Sequence, residues 1–421
     1  MTSPSTAVVG LGYVGLPLAI AATFAGHHVV GFDLSAQKIE GLASGRSHVD
    51  DISDAELRRA IEAGFEVTTD ESRLGEASVI VVCVPTPLGE DGGPDLSAVM
   101  AAAETISRHL RPGALVVLES TTYPGSTEET FVPLLERSGL SSQNDFHVAY
   151  SPERVDPGNA SFGIQNTPKV IGGLHECCTV AATDFYGRFV DSTVLARGIK
   201  EAEMAKLLEN TYRHVNIALV NEMCRFSYEM DIDFWNVLDC AATKPFGFQA
   251  FRPGPGVGGH CIPIDPNYLS HAVRAQLHYA FRFVELAQEI NASMPSYVVR
   301  RVQDLLNERG KALNGSRVLL LGVTYKADIA DVRETPATEI VERLWHLGAD
   351  VCYHDPYVAD WEVDGRKVPA VASLTPDALG AADATILLQA HAEYELDECE
   401  SGSQLFFDTR GVTSSPTSLR L

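Results

Sequence analysis

The stretch Gly10-Leu11-Gly12-Tyr13-Val14-Gly15 constrains the fold most, because it follows the β-branched run Ala7–Val9 and opens the apolar segment LPLAIAATFA. A strand that passes into a helix within six residues has few backbone solutions, and three glycines at this spacing supply one. Gly10 permits the tight turn, Gly12 lets another group approach the backbone, and Gly15 allows the helix to close on the strand. The helix start, with Tyr13 and Val14, offers free N–H groups and partial positive charge to a phosphate. The next β-branched run ends in Gly31-Phe32-Asp33, 18 residues beyond Gly15. A carboxylate there accepts hydrogen bonds from a ribose 2′-OH and repels a 2′-phosphate, which predicts NAD+ rather than NADP+. Capping of the next turn is the alternative use of Asp33.

Short β-branched runs continue to alternate with helical patterns, at His28–Phe32, Glu66–Thr68, Val79–Val84, Leu115–Glu119, His147–Ala149 and Val170–Gly172, with a helix over Ser97–His109. This order predicts a parallel α/β sheet. From Glu201 the segment EAEMAKLLENTYRHVNIALVNEMCRFSYEM lacks Gly and Pro and reads as one long helix. A Gly/Pro-rich loop, Lys244–Pro266, is too long for a plain linker. A helical region follows from Tyr279 to about Arg309, where Pro295 marks a kink or a break. Alternation then resumes with strands Arg317–Leu321, Asp350–Tyr353 and Ala384–Leu388 and a helix Pro336–Leu347; residues after Gly411 read as a loose tail. The expected fold class is α/β: two Rossmann-like, doubly wound parallel-sheet domains joined by a central long-helix region. The expected boundaries are 1–195, 196–310 and 311–421.

A chain of 421 residues, 45% apolar and 21% charged, has the composition of an ordinary multidomain globular protein. Its formal charge of −24 repels phosphate backbones and anionic lipid, so neither nucleic acid nor membrane is an expected partner. The eight cysteines form no C-x-x-C pair and no disulfide or zinc spacing, which fits the reducing cytoplasm. Cys83, Cys224, Cys240 and Cys352 are read as small buried hydrophobes. Cys177-Cys178 beside His175 would chelate poorly as neighbours, so no metal is expected. The N-terminus has no basic segment ahead of an apolar one, and no apolar run is long enough to span a bilayer.

Chemistry is concentrated in Arg252-Pro253-Gly254-Pro255-Gly256-Val257-Gly258-Gly259-His260-Cys261-Ile262-Pro263-Ile264-Asp265-Pro266. Dense glycines let backbone amides crowd a ligand, while prolines limit the loop's freedom, so Cys261 is placed like a nucleophile. On the long helix Lys206 and Asn210 are four apart and share a face, with Arg213, Ile217 and Asn221 continuing the stripe. Such a pair can stabilise a developing alkoxide, although on spacing alone a solvated helix face is the commoner use of it.

Together, VVGLGYVGLPLA, CVPTP, ESTTYPGST, AYSPERVDPG, EAEMAKLLENTYRHVNIALVNE, PFGFQAFRPGPGVGGHCIPIDPNYL and LGVTYKADIADVRETPA resemble, in order and over essentially the whole chain, the UDP-glucose/GDP-mannose dehydrogenase family. The RPGPG–GGHCIPIDP and SPER forms are most similar to the branch acting on UDP-N-acetylhexosamines, UDP-N-acetylglucosamine especially. The resemblance implies an NAD-dependent, four-electron oxidation of the C6 primary alcohol of a UDP-sugar to the uronic acid, through a thiohemiacetal and thioester on Cys261. It assigns Gly10, Gly12, Tyr13, Val14, Gly15, Asp33, Thr86, Ser120 and Thr121 to the cofactor. Lys206 and Asn210 go to the substrate oxygen, Asp265 with Thr121 to water, and Glu153 to the substrate side. Arg154, Arg252, Gly258, Lys326 and Arg333 match positions around the sugar nucleotide, Arg333 as a basic residue at a domain interface.

Pro157 departs from the glutamate common in UDP-glucose enzymes, which weakens a glucose assignment. UDP-glucose, UDP-N-acetylmannosamine, UDP-N-acetylgalactosamine and dTDP-sugars stay open as substrates. A two-electron hydroxyacid dehydrogenase would need no loop cysteine, and a non-catalytic nucleotide-sugar sensor would need no intact Cys261, Lys206, Asn210 and Asp265. The apolar residues of the long helix, Met204, Leu207, Leu208, Val215, Leu219 and Val220, cover more than one face, so a homodimer or higher homo-oligomer is expected.

Overall fold

The computed structural model describes residues 5–49, 51–89, 93–155, 159, 161–259, 262, 264–415 and 418–421. The chain divides into two compact units, Met1–Glu209 with Asn267–Tyr279, and Asn210–Pro266 with Ala280–Leu421.

The first unit runs β1 (Ser5–Val9), α1 (Gly15–Phe24), β2 (His28–Phe32), α2 (Ala36–Ala43), α3 (Asp54–Glu62), β3 (Glu66–Thr68), β4 (Val79–Val82) and α4 (Ser97–His109). It continues with β5 (Leu115–Leu118), α5 (Val132–Leu135), β6 (His147–Tyr150), β7 (Lys169–Gly173), α6 (Glu176–Tyr186), β8 (Thr193–Leu195) and the start of α7 (Ile199–Glu229). The strands pair as β3-β2-β1-β4-β5-β6-β7-β8, parallel throughout except for the antiparallel β6–β7 pair. Strands covered on both faces need apolar residues at every position. Ile80, Val82, Val116 and Leu118 accordingly pack with Val99, Ala103 and Ile106 of α4, while Val81 and Val117 pack with Leu16 and Ile20 of α1. The serines ahead of α2 and α3 cap them: Ser35 accepts from the Lys38 amide and Ser53 from the Glu56 amide. Because β1, β2, β4, β5 and β6 are parallel, their C-terminal ends share one edge, the ligand edge of open α/β sheets.

The second unit takes up α7 from Asn210 and holds α8 (Phe234–Ala242). The next helix, α9 (Asp265–Leu277), returns to the first unit at Asn267. There follow α10 (Arg282–Glu308), β9 (Arg317–Leu321), α11 (Pro336–His346), β10 (Asp350–His354) and the short pair β11 (Glu362–Val363) and β12 (Arg366–Lys367). The chain ends with α12 (Pro376–Gly380), β13 (Ala384–Leu387), α13 (Leu396–Gly402), β14 (Phe406–Asp408) and β15 (Leu419–Arg420). A second, parallel sheet has the order β10-β9-β13-β14-β15. One face, with Val318, Leu320, Val351, Ile386 and Phe407, shares a core with Trp235 and Leu238 of α8 and Met294, Val298 and Val302 of α10. Helix α10 continues through Pro295 without a break. Met294, Pro295, Val298 and Val302 are all buried, and that packing outweighs the roughly 3 kcal/mol that an internal proline costs.

The sequence places a loose tail after Gly411, and the structure corrects this. Residues Leu419–Arg420 add a parallel strand to β14, and Leu421 is buried. The Leu421 carbonyl accepts from the Trp235 indole at 3.1 Å and the Cys224 thiol at 3.2 Å, and Arg301 donates to the Arg420 carbonyl at 3.1 Å. A strand this short carries too little periodicity to read from sequence. Deleting Leu419–Leu421 empties a core position and strands the indole N–H. The expected cost is about 3–6 kcal/mol, read as a lower urea midpoint, and an unchanged midpoint would return these residues to the status of a tail.

Candidate active site

At the ligand edge of the first sheet the glycine turn is built as its spacing requires. Gly10 has φ +90°, and a Cβ there would lie 2.7 Å from the Cys83 carbonyl oxygen. A Cβ on Gly15 would come within 1.9 Å of the Gly10 carbonyl oxygen, whereas one on Gly12 would meet nothing within 4 Å. Close packing on both sides of an open backbone is the cradle that a pyrophosphate fits. Tyr13 and Val14 complete the turn into α1, with Val14 as its N-cap. Asp33 just beyond β2 serves two purposes. Its Oδ2 accepts from the Leu11 amide at 3.0 Å, fixing the carboxylate beside the glycine turn, and its Oδ1 caps the following turn by accepting from the Ser35 amide at 2.9 Å.

Beyond β4 and β5, Ser120 donates to the Val84 carbonyl at 2.8 Å, and the Thr86 carbonyl accepts from the Tyr268 hydroxyl of α9. Thr121 is half-buried beside Ser120. The segment after it is held by a residue that the sequence reading did not single out. Glu203 of α7 is fully buried; its Oε1 accepts from Thr122 Oγ1 (3.2 Å), Ser126 Oγ (3.2 Å), Thr127 N (3.0 Å) and Thr127 Oγ1 (2.6 Å), and its Oε2 from Gly125 N (2.7 Å). Burial pushes its carboxyl above the ordinary value, and the donors from Thr127, Gly125 and Thr122 offset only part of that. Its position three residues before Lys206, on the same helix face, was the available signal.

Lys206, also of α7, donates to the Glu153 carbonyl at 2.6 Å and lies 3.5 Å from the Glu153 carboxylate, with both side chains largely buried. Arg154 makes a bidentate pair with Glu209 (2.7 and 3.2 Å) and donates to the Pro168 carbonyl at 2.7 Å. Beneath them Lys169 pairs with the buried Glu119 at 2.9 Å, and the Tyr186 hydroxyl donates to the same carboxylate. Cys83 is buried, and burial first and the Glu119 carboxylate second push its thiol well up, so it stays neutral. Cys224 and Cys352 are buried as expected, but Cys240 is exposed, because it sits on the solvent face of α8.

In the second unit Asn210 donates through Nδ2 to Asp265 Oδ2 at 2.5 Å, and both side chains are buried. Asn221, on the same face of α7, accepts from the Gly254 amide at 2.9 Å. The glycines of the cysteine loop answer to protein as well as to any ligand. A Cβ on Gly258 would lie 2.6 Å from the Glu334 carbonyl oxygen, one on Gly259 would lie 2.7 Å from the Tyr325 ring, and the Gly259 amide donates to the Arg333 carbonyl at 3.2 Å. This brings Gly258 to the segment holding Lys326, which is half-buried, and Arg333, which is exposed and ion-paired with Asp331 at 2.5 Å. Arg252 is also exposed; it pairs with Asp239 at 3.3 Å and lies over the Trp235 ring. Cys261, His260 and Pro157 lie outside the described residues.

Three models of the UDP-glucose/GDP-mannose dehydrogenase family match the chain: the NAD binding domain over residues 5–190, the central domain over 200–293 and the UDP binding domain over 319–415. The chain is 38% identical over 397 residues to the UDP-N-acetyl-D-glucosamine 6-dehydrogenase of Pseudomonas aeruginosa, covering 94% of this chain and 92% of that protein. It is 34% identical to an NDP-N-acetyl-D-galactosaminuronic acid dehydrogenase of Ralstonia solanacearum, covering 97% and 96%. Among solved structures, the UDP-D-ManNAc dehydrogenase of Pyrococcus horikoshii superposes with a TM-score of 0.89 at 32% identity, covering 99% and 98%. Three matched domains in order, on the fold and glycine turn described, place this NAD-dependent oxidoreductase in the UDP-glucose/GDP-mannose dehydrogenase family.

Proposed function

We propose that the chain oxidises the C6 primary alcohol of UDP-N-acetylglucosamine to the carboxylate, with Cys261 as the covalent nucleophile. The observation that carries this reading is the buried Asn210–Asp265 pair at 2.5 Å, formed by the asparagine four residues after Lys206 in sequence. Asp265 lies four residues after Cys261, so its bond to Asn210 anchors the end of the thiol-bearing loop to α7. Lys206 supplies a positive charge and Asn210 an N–H for the substrate oxygen as it becomes an alkoxide, a contribution of roughly 3–4 kcal/mol for one well-placed donor. NAD+ bound on Gly10, Gly12, Tyr13, Val14, Gly15 and Asp33, beside Thr86, Ser120 and Thr121, supplies the hydride acceptor for both oxidations. The Cys261 thiolate forms a C–S bond to the aldehyde carbon. Loss of the second hydride leaves a thioester, and its hydrolysis returns the thiol and the uronic acid. By resemblance, Asp265 with Thr121 orients the water, Glu153 serves the substrate side, and Arg154, Arg252, Gly258, Lys326 and Arg333 surround the sugar nucleotide. The three segments 1–195, 196–310 and 311–421 then divide cofactor, thiol and UDP-sugar among them.

The choice of N-acetylglucosamine rests on the relative at 38% identity and on the RPGPG–GGHCIPIDP and SPER forms, while Pro157 weighs against glucose. Two further readings go with it. Tyr212, Leu219 and Phe226 recur along one side of α7 and are exposed, which supports a homodimer. The described cysteines are all free thiols, and among the described residues no helix is long and apolar enough to cross a membrane, which supports a cytoplasmic enzyme.

Assayed against a panel of UDP-sugars, the enzyme is expected to form two NADH per UDP-N-acetylglucosamine. A stoichiometry of one contradicts the thioester, and preference for another sugar contradicts the substrate. Lys206→Ala is expected to lower kcat by about 10²–10³-fold with a smaller change in KM; an unchanged kcat would make Lys206 a structural residue. Glu203→Gln sets an N–H group against the Gly125 amide. It is expected to raise the KM for NAD+ about 5–30-fold, the equivalent of ~1–2 kcal/mol, and an unaltered KM would show that the Thr122–Thr127 loop does not position the cofactor site.

A further inference from the structure

Cys177 and Cys178 stand in the first turn of α6, and His147 opens β6. One His147 ring nitrogen and the two sulfurs all lie within 4.8 Å of one another. Cys178 Sγ lies 3.6 Å from His147 Nδ1, on a residue 31 apart in sequence. A tetrahedral zinc ion with Zn–S ~2.3 Å and Zn–N ~2.0–2.1 Å sets its nitrogen and sulfur ligands about 3.6 Å apart and two sulfurs about 3.8 Å apart. The Cys178–His147 separation is therefore already that of two ligands on one ion.

Oxidation to a disulfide is the weaker use of these thiols. Cα atoms of consecutive residues are ~3.8 Å apart, short of the ~4.4–6.8 Å usual for a disulfide. His175, the basic residue nearest in sequence, is the exposed N-cap of α6. The third donor comes instead from the neighbouring strand, so adjacency of the two thiols does not limit the site to a strained two-ligand chelate.

We propose that His147, Cys177 and Cys178 form a binding site for a soft transition-metal cation, with zinc(II) as the expected ion. One imidazole and two thiolates select zinc over magnesium or calcium. Cys178 is buried and Cys177 exposed, so the ion reaches the site from solvent and keeps a fourth position for water. His147 begins β6, while the glycine turn follows the C-terminal end of β1 in the same parallel sheet. The ion would thus bind at the opposite edge from the dinucleotide cradle, tying the first residue of β6 to the first turn of α6 without touching the reacting groups. Both thiols must lose protons on binding.

The test uses the reduced, full-length protein freed of metal and titrated with cobalt(II), then with zinc(II). The expected result is one cobalt(II) per chain, with a thiolate-to-cobalt charge-transfer band that zinc(II) abolishes and that survives in Cys261→Ser. Cys177→Ser and His147→Gln are each expected to weaken cobalt(II) binding at least tenfold. Cys177 is exposed, so its serine variant carries the test even if His147→Gln does not fold. Absence of the band overturns the proposal and leaves a simple Cys178–His147 hydrogen bond. A band lost in Cys261→Ser but kept in Cys177→Ser overturns it too, by placing the metal on the cysteine loop.

Discussion

Three polar side chains buried along one face of a helix set the terms for this enzyme. Glu203, Lys206 and Asn210 of α7 recur at intervals of three and four, and each would cost several kcal/mol if left unpaired. Each is paired instead: Glu203 with the Thr122–Thr127 segment, Lys206 with Glu153, Asn210 with Asp265. The burial that makes these groups expensive also fixes their partners. Within the first unit, a segment following β5 and another following β6 therefore take their positions from α7; within the second unit, the end of the cysteine loop takes its position from Asn210.

Local devices were legible in the sequence. The glycine turn, Asp33, most strands and the Lys206–Asn210 spacing each depend on residues within a turn or two of one another, where backbone sterics and helical period decide the outcome. What the sequence hid depends on distant chain. Nothing near Glu203 announces that it faces Thr127, 76 residues away. The crowding at Gly258 and Gly259 comes from Tyr325 and Glu334, and a density of glycine alone does not distinguish close protein packing from a ligand's approach. The strand at Leu419–Arg420 was invisible because its stabilisation comes from Trp235, Cys224 and Arg301. His147 was likewise missed as a neighbour of Cys177-Cys178, because only sheet order brings β6 beside β7 and the helix after it.

The two sheets share a device and put it to different ends. In the first, the Leu11 amide donates to Asp33 at 3.0 Å; in the second, the Val323 amide donates to Asp355 at 2.7 Å, just after Gly322. The residues after Gly322 are Val323-Thr324-Tyr325, so the second turn lacks the further glycines that open the first. Asp355 also accepts from His391 at 3.1 Å; burial raises its carboxyl, yet the bonds from His391, Val323 and Tyr357 hold it below the ordinary value. Both carboxylates are engaged within the protein, Asp33 also by the Ser35 amide at 2.9 Å and Lys38 at 3.6 Å, but only Asp33 stands beside a glycine turn where a Cβ on Gly12 would meet nothing within 4 Å.

The covalent stage proposed at Cys261 is one that intact-protein and peptide mass spectrometry read directly. Acid quenching during turnover with NAD+ and UDP-N-acetylglucosamine is predicted to trap the oxidised sugar nucleotide as a thioester on the peptide containing Cys261. Full conversion to the uronic acid with that peptide unmodified at every quench time, and with turnover undiminished in Cys261→Ser, would contradict it.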